Sequence, residues 1–237
     1  TAARVRIRSL TLANGHAAVG GGALNVHHNA SVEFDASSLV NSDSDFYGGA
    51  ISIDGGNVLA TGKSSIVNST AHSGGAVYIS NGLMMLDGGS SIVHATAQGN
   101  GGAIFTESGS LILTSSSSIV HAEAQDFGGA VCSVGSKVTM TDESWIDGSS
   151  AMDGGTFFLF SAAVLQLNNG VSIINSRAQR YGGAIRMFPG ISVTSINGVT
   201  IIDSRAEYGG AILMNGGSVM ILKNCSIVRA TSDENGG

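Results

Sequence analysis

The sequence has little charge. Only 12% of its 237 residues are Asp, Glu, Lys or Arg, about half the fraction usual in soluble domains. Lysine occurs three times, at Lys63, Lys137 and Lys223, so no polybasic stretch exists to hold an anionic lipid surface. The net charge is -6, which excludes nucleic acid as a default partner. The two cysteines, Cys132 and Cys225, lie three sequence repeats apart. At roughly 4.8 Å per stacked repeat they are too distant to bridge, so two free thiols are expected. Their number leaves the compartment open. The most apolar stretch, residues 156–167, is interrupted by Ser161 and too short to cross a bilayer. No signal-peptide pattern opens the sequence.

What the sequence has instead is glycine, 35 residues against one proline, and the glycines recur in step. Gly-Gly doublets begin at Gly21, Gly48, Gly74, Gly101, Gly128, Gly154, Gly182, Gly209 and Gly236, at intervals of 27, 26, 27, 27, 26, 28, 27 and 27 residues. Most continue as Ala-Ile or Ala-Val. A fixed period over this many units is a repeat architecture, and residues 1–237 are one continuous array. The abrupt ends, with no polar cap visible, suggest a segment of a longer chain or ends covered by partners.

Each unit holds three short β-like runs separated by Gly and Ser. The first follows the doublet, as in Ala50-Ile51-Ser52-Ile53. The second follows a turn, as in residues 58–61, 83–86, 111–114 and 191–194. The third is of the Ser-Ile-Val type, as at Ser65, Ser91 and Ser118. Three strands per 27 residues predict an all-β, single-stranded parallel β-helix of about eight to nine coils, with like side chains stacked in the interior. Inward positions are Ile51/Ile53, Val77/Ile79, Phe157/Leu159, Ile185/Met187 and Ile212/Met214 on the first strand. On the second they are Val58/Ala60, Leu111/Leu113, Val138/Met140, Ile191/Val193 and Val219/Ile221. Ile119 is expected to stack between Ile92 and Trp145.

Two further rows are expected around the third strand. A corner row runs Asn14, Asn41, Asn68, His94, His121, Asp147, Asn175, Asp203, Arg229, since Asn and Asp tolerate turn dihedrals. A serine row precedes it at Ser38, Ser65, Ser91, Ser118, Ser144 and Ser172. The Gly-Gly-Ala-Ile element, from about Leu10 to Gly237, resembles the repeats of the chlamydial polymorphic outer membrane proteins, and more broadly the pectin-lyase-like parallel β-helices. The resemblance implies a right-handed coil, in line with the crossover rule, and an extracellular adhesin-like or structural stalk.

The candidate sites are sparse. His94 and His121 with Asp147, and the pair His27-His28, read as corner and turn residues rather than metal ligands, and no cofactor site is visible. Asp142, Glu143, Asp147 and Asp153 are the local acids that could serve a polysaccharide lyase or hydrolase. Arg177 and Arg205 read as a solvated face. On the outer side of the second strand, Leu59, Met84, Ile112 and Met220, interrupted by Thr139, Gln166 and Ser192, suggest a thin apolar contact surface. Thr61, Thr114, Thr141 and Thr194 raise ice binding. Three sequons, at Asn29, Asn68 and Asn224, matter only in a secreted eukaryotic protein. Arg4, Arg6 and Arg8 at one end and Asp233 and Glu234 at the other suggest end-to-end association.

The expected function is a non-catalytic, secreted or cell-surface structural or adhesive β-helix. Its partners would be other copies or segments of itself, head-to-tail or lateral, and host or surface glycans, with no nucleic acid and no membrane span. A carbohydrate-active enzyme and an ice-binding β-helix are the alternatives. The period predicts a far-UV circular dichroism spectrum with a single β-type minimum; helical double minima would refute the fold.

Overall fold

The computed structural model describes residues 3–188 and 193–236, with Val193 described by its backbone alone. The expected positions Ile191, Ser192 and Gly237 lie outside the described residues. Every regular element among the described residues is a β-strand. The coil opened by Gly74-Gly75 shows the plan, running through Val77–Ser80, Leu83–Leu86 and Ser91–Ala97. Each strand pairs in parallel with its counterparts one unit away. Val77 sits between Ile51 and Ile104, Met84 between Val58 and Leu111, and Ile92 between Ile66 and Ile119. The result is a parallel β-solenoid of about eight turns. Its first sheet has eight strands, its second nine and its third fifteen.

The third sheet is bent because its strands pass through left-handed residues. Asn41, Asn68, His94 and His121 have φ of 54°, 54°, 53° and 52°. Polar residues with local hydrogen-bonding side chains tolerate this region best. The Asn68 amide donates to Asn41 Oδ1 at 3.2 Å, and the His94 and His121 rings stack with centroids 5.2 Å apart. Asp147 does not belong to this corner row. It ends a strand opposite Val120, and Gly148, at φ 67°, takes the corner. The same one-residue offset removes Ser144 from the outer serine row. Trp145 pairs with Ser118 there, while Ser144 joins the buried Ser64, Ser90 and Ser117. Ile119 therefore stacks on Ile92 and Ile146, not Trp145.

The interior is a set of aliphatic ladders. Ile51, Ile53, Val77, Ile79, Phe157, Leu159, Ile185 and Met187 are fully buried, as the first-strand pattern predicts, whereas of the expected pair Ile212 and Met214 the first is half-buried and the second exposed. On the second sheet the expected phase fails in three coils. Met84 is fully buried, stacked on Val58 and Leu111. Met220 faces inward opposite Thr194, leaving Val219 and Ile221 outward and exposed. In the preceding coil Thr194 and Ile196 are the buried pair. Side chains alternate along a strand, so a start misplaced by one residue inverts the whole strand. The strand at Asn57 starts one residue before Val58.

The corner before the first sheet is set by the doublets. From Gly21 to Gly209, the first glycine of each has φ between 58° and 67°. The second glycine lacks room: a Cβ on Gly129 would press on the stacked Gly155 carbonyl oxygen and the Ser150 backbone. The following alanine, buried at Ala50, Ala76, Ala103, Ala130 and Ala184, is small for the same reason. Thr156 replaces it in one coil, with its hydroxyl hydrogen-bonded to those of Ser149 and Ser176. Gly129→Ala should therefore destabilise by about 2 kcal/mol or more. Gly216→Ala, where a Cβ would meet nothing within 4 Å, should leave the thermal midpoint unchanged. Equal midpoints for the two variants would show that close approach at the doublet is not limiting.

Candidate functional site: the aromatic outer face of the first sheet

The chain has eight Phe, four Tyr and one Trp. Apart from Phe34 and Phe157 in the core and Trp145 on the third sheet, all lie on the outer side of the first sheet or at the corner leading into it. Two sequence positions place them. The residue between the two inward positions of the first strand points outward, giving the stacked row Ser52, Tyr78, Phe105, Cys132, Phe158, Arg186, Leu213. The residue before the doublet supplies Tyr47, Phe127, Tyr181 and Tyr208.

The rings stack along the solenoid axis. Tyr47 lies 4.6 Å from Tyr78, Tyr78 5.8 Å from Phe105, and Phe127 4.5 Å from Phe158. Such offset and tilted pairs contribute about 0.5–1.5 kcal/mol each beyond their buried area. Cys132 interrupts the series. Where a ring would stand, a slot of about 250 Å³ opens, lined by Phe105, Phe127, Cys132, Val134, Phe158, Phe160, Phe188 and Asn100. Asn100 is the one polar residue in that lining.

Polar groups close the row at both sides. The Tyr78 hydroxyl donates to Glu107 at 2.7 Å, and burial together with that carboxylate pushes the phenol pKa up. On the other side Arg186 is buried, its guanidinium 5.1 Å from the Tyr181 ring centre and 5.5 Å from that of Phe188. It donates to Asn215 Oδ1. Burial lowers its pKa, with Asp153 opposing, yet a guanidinium stays charged in proteins. Arg180 pairs with Asp153 at 3.1 Å. Burial raises the Asp153 pKa, and this pairing counteracts the rise. The arrangement suits recognition of apolar groups rather than proton transfer.

The acids that an enzyme would need do not converge. Asp142 accepts hydrogen bonds from Thr114, Asn169 and Thr141 at the turn between second and third sheets, which lowers its pKa. Neighbouring Glu143 shares that turn. Asp147 accepts from Asn175, and Asp153 is held by Arg180. The threonine row is broken, since Thr194 is buried beside Met187.

On the second sheet the outward apolar residues in register are Leu59, Met85 and Ile112, followed by Thr139 and Gln166. Leu59 and Ile112 stand as expected, whereas Met84 and Met220 do not belong to this surface. The terminal charges lie on different sheets, and three of the five are already paired. Arg6 and Arg8 pair with Glu33 and Asp35 on the second sheet, while Asp233 pairs with Arg205 on the third. Arg4 and Glu234 are exposed on those same two sheets.

Compared with known proteins, the chain matches no family model, no curated protein and no solved structure. The aromatic row was legible by the same inward–outward reasoning applied to the second strand. Tyr78, Phe105, Cys132 and Phe158 recur at 27, 27 and 26 residues. Cys132 shows what the slot does to a polar group: burial pushes its thiol pKa far above the ordinary range, with Glu107 adding to the shift. Iodoacetamide at pH 8 should therefore modify Cys225, which is partly exposed, and spare Cys132 until the chain is denatured. Equal labelling of both in the native state would contradict the closed slot floor.

Proposed function

We propose that the chain is a non-catalytic structural and adhesive solenoid, a segment of an extracellular cell-surface stalk or fibre, and that it adheres through the aromatic face of the first sheet. The observation that carries this reading is the concentration of rings on one outer side. Phe160 and Phe188 remain 39% and 38% exposed at a slot with five phenylalanines in its lining, and Phe46, 55% exposed, lies beside Tyr47 at the other end of the row of rings. A contiguous apolar patch of this kind marks an interaction surface. Covering these rings removes apolar area at about 25 cal/mol per Å². The resemblance of the Gly-Gly-Ala-Ile repeat to the chlamydial outer membrane proteins supports the same setting. The stacked coils supply a stiff support for such a face.

The favoured partner is a protein surface offering an apolar side chain, a second copy included, because the slot presents carbon almost throughout. A glycan would require more polar partners than Asn100. The dispersed carboxylates and the broken threonine row count against the enzyme and ice-binding readings. Adhesion of the labelled chain to cell monolayers and to immobilised chain tests the proposal. Phe160→Ser combined with Phe188→Ser should reduce adhesion on the order of 10-fold or more, with an unchanged melting curve. Enzymatic deglycosylation of the cells should leave adhesion intact. Undiminished adhesion by the double variant would overturn the assignment of the face, and loss on deglycosylation would replace protein by glycan as the partner.

A further inference from the structure

His27, His28 and Asp54 come together at one end of the same outer face, although the sequence separates Asp54 from His27 by a full repeat. The strands Leu24–His27 and Ile51–Asp54 pair in register, so His27 stands directly opposite Asp54. Neighbouring residues of a strand point to opposite sides, and His28 would ordinarily face away. It does not, because the chain leaves the strand there. His28 and Asn29 have φ of 37° and 63°, and their amides bond to the carbonyls of Asp54 and Gly55 at 2.9 and 3.0 Å. The turn fixed in this way brings the second imidazole beside the first, with ring centroids 6.2 Å apart. One ligand atom from each of the three side chains lies within 4.8 Å of the others, and His27 Nδ1 is 3.6 Å from Asp54 Oδ2.

We propose that His27, His28 and Asp54 form a zinc-binding site, with water completing the coordination. Zinc takes imidazole nitrogen and carboxylate oxygen at about 2.0–2.2 Å, which places ligand atoms roughly 3.3 Å apart in a tetrahedron. The observed separations need only small side-chain rotations to reach that spacing. The donor set of two imidazoles and one carboxylate favours zinc and its late first-row neighbours over calcium or magnesium, which take oxygen. The side chains are free to rotate, since His27 and Asp54 are 58% and 50% exposed. His94 and His121 form no such site: their rings stack face to face at 17°, and the next residue of their row is Gly148. The zinc site is independent of the aromatic slot and stands or falls separately from the adhesive role.

Isothermal titration of the untagged chain with Zn2+ tests the proposal, with Mg2+ as the contrasting ion. One Zn2+ should bind per chain with micromolar Kd, and Mg2+ should give no heat. Asp54→Asn and His28→Ala should each weaken binding on the order of 10-fold or more, while His121→Ala should leave it unchanged. His27 and His28 are exposed and Asp54 is half-buried, so melting of the metal-free variants should stay close to that of the parent. No Zn2+ binding up to millimolar concentration, unchanged affinity in Asp54→Asn, or loss of binding in His121→Ala would each overturn the site.

Discussion

The close approach of stacked backbone at the glycine doublets is the constraint from which the solenoid follows. The doublet amides bond from coil to coil, Gly102 to Gly128 at 3.1 Å and Gly129 to Gly154 at 3.1 Å, with no space between coils for a side chain at the second glycine. This corner aligns the start of every first-sheet strand. Once that start is aligned, alternation sends Ile104 and Thr106 inward and Phe105 outward, as their equivalents do in neighbouring coils. One backbone contact thus determines both the aliphatic core and the aromatic exterior. Hydrophobic burial then supplies the stability, coil against coil, since no single coil encloses its own side chains.

Differences in unit length are absorbed mainly just ahead of that corner, with one residue added between Phe160 and Val164. Gly99 is an extra residue before one doublet relative to the preceding unit. The pairing of Ser150–Asp153 with Arg177–Tyr181 shifts register between Ala151 and Asp153. Bulges re-aim side chains, and residues at these two irregularities border the aromatic face: Asn100 in the slot, and Arg180, Tyr181 and Asp153 around Arg186. The regular row of rings is therefore bordered by residues drawn from the part of the repeat that is least regular.

Much of this was legible in the residues. The doublet period specified a parallel stack of three-stranded coils, and the positions flanking Ser52 or Tyr78 read correctly as core. The second strand was harder. Asn57 and Leu83 begin equivalent strands, yet one is polar and the other apolar, so the hydrophobic pattern alone placed the phase of Met84 one residue off. Trp145 and Ser144 invert an expectation in the same way. The convergence of Asp54 on His27 and His28 depends on a left-handed turn at a histidine, for which no local sequence signal exists. The burial of Arg186 depends on rings brought from two coils, which periodicity does not encode.

The bonds between coils run along the stack, whereas the covalent chain winds around it, and this has a mechanical consequence. Force applied through the chain termini does not load all the bonds of a coil boundary together. It peels the outermost coil, opening its hydrogen bonds one after another while the coil beneath keeps its own. Each coil so released converts a rise of roughly 4.8 Å into an extended segment of about 90 Å. Under tension such a chain lengthens in discrete steps at modest force and rewinds onto an intact template when the load is removed.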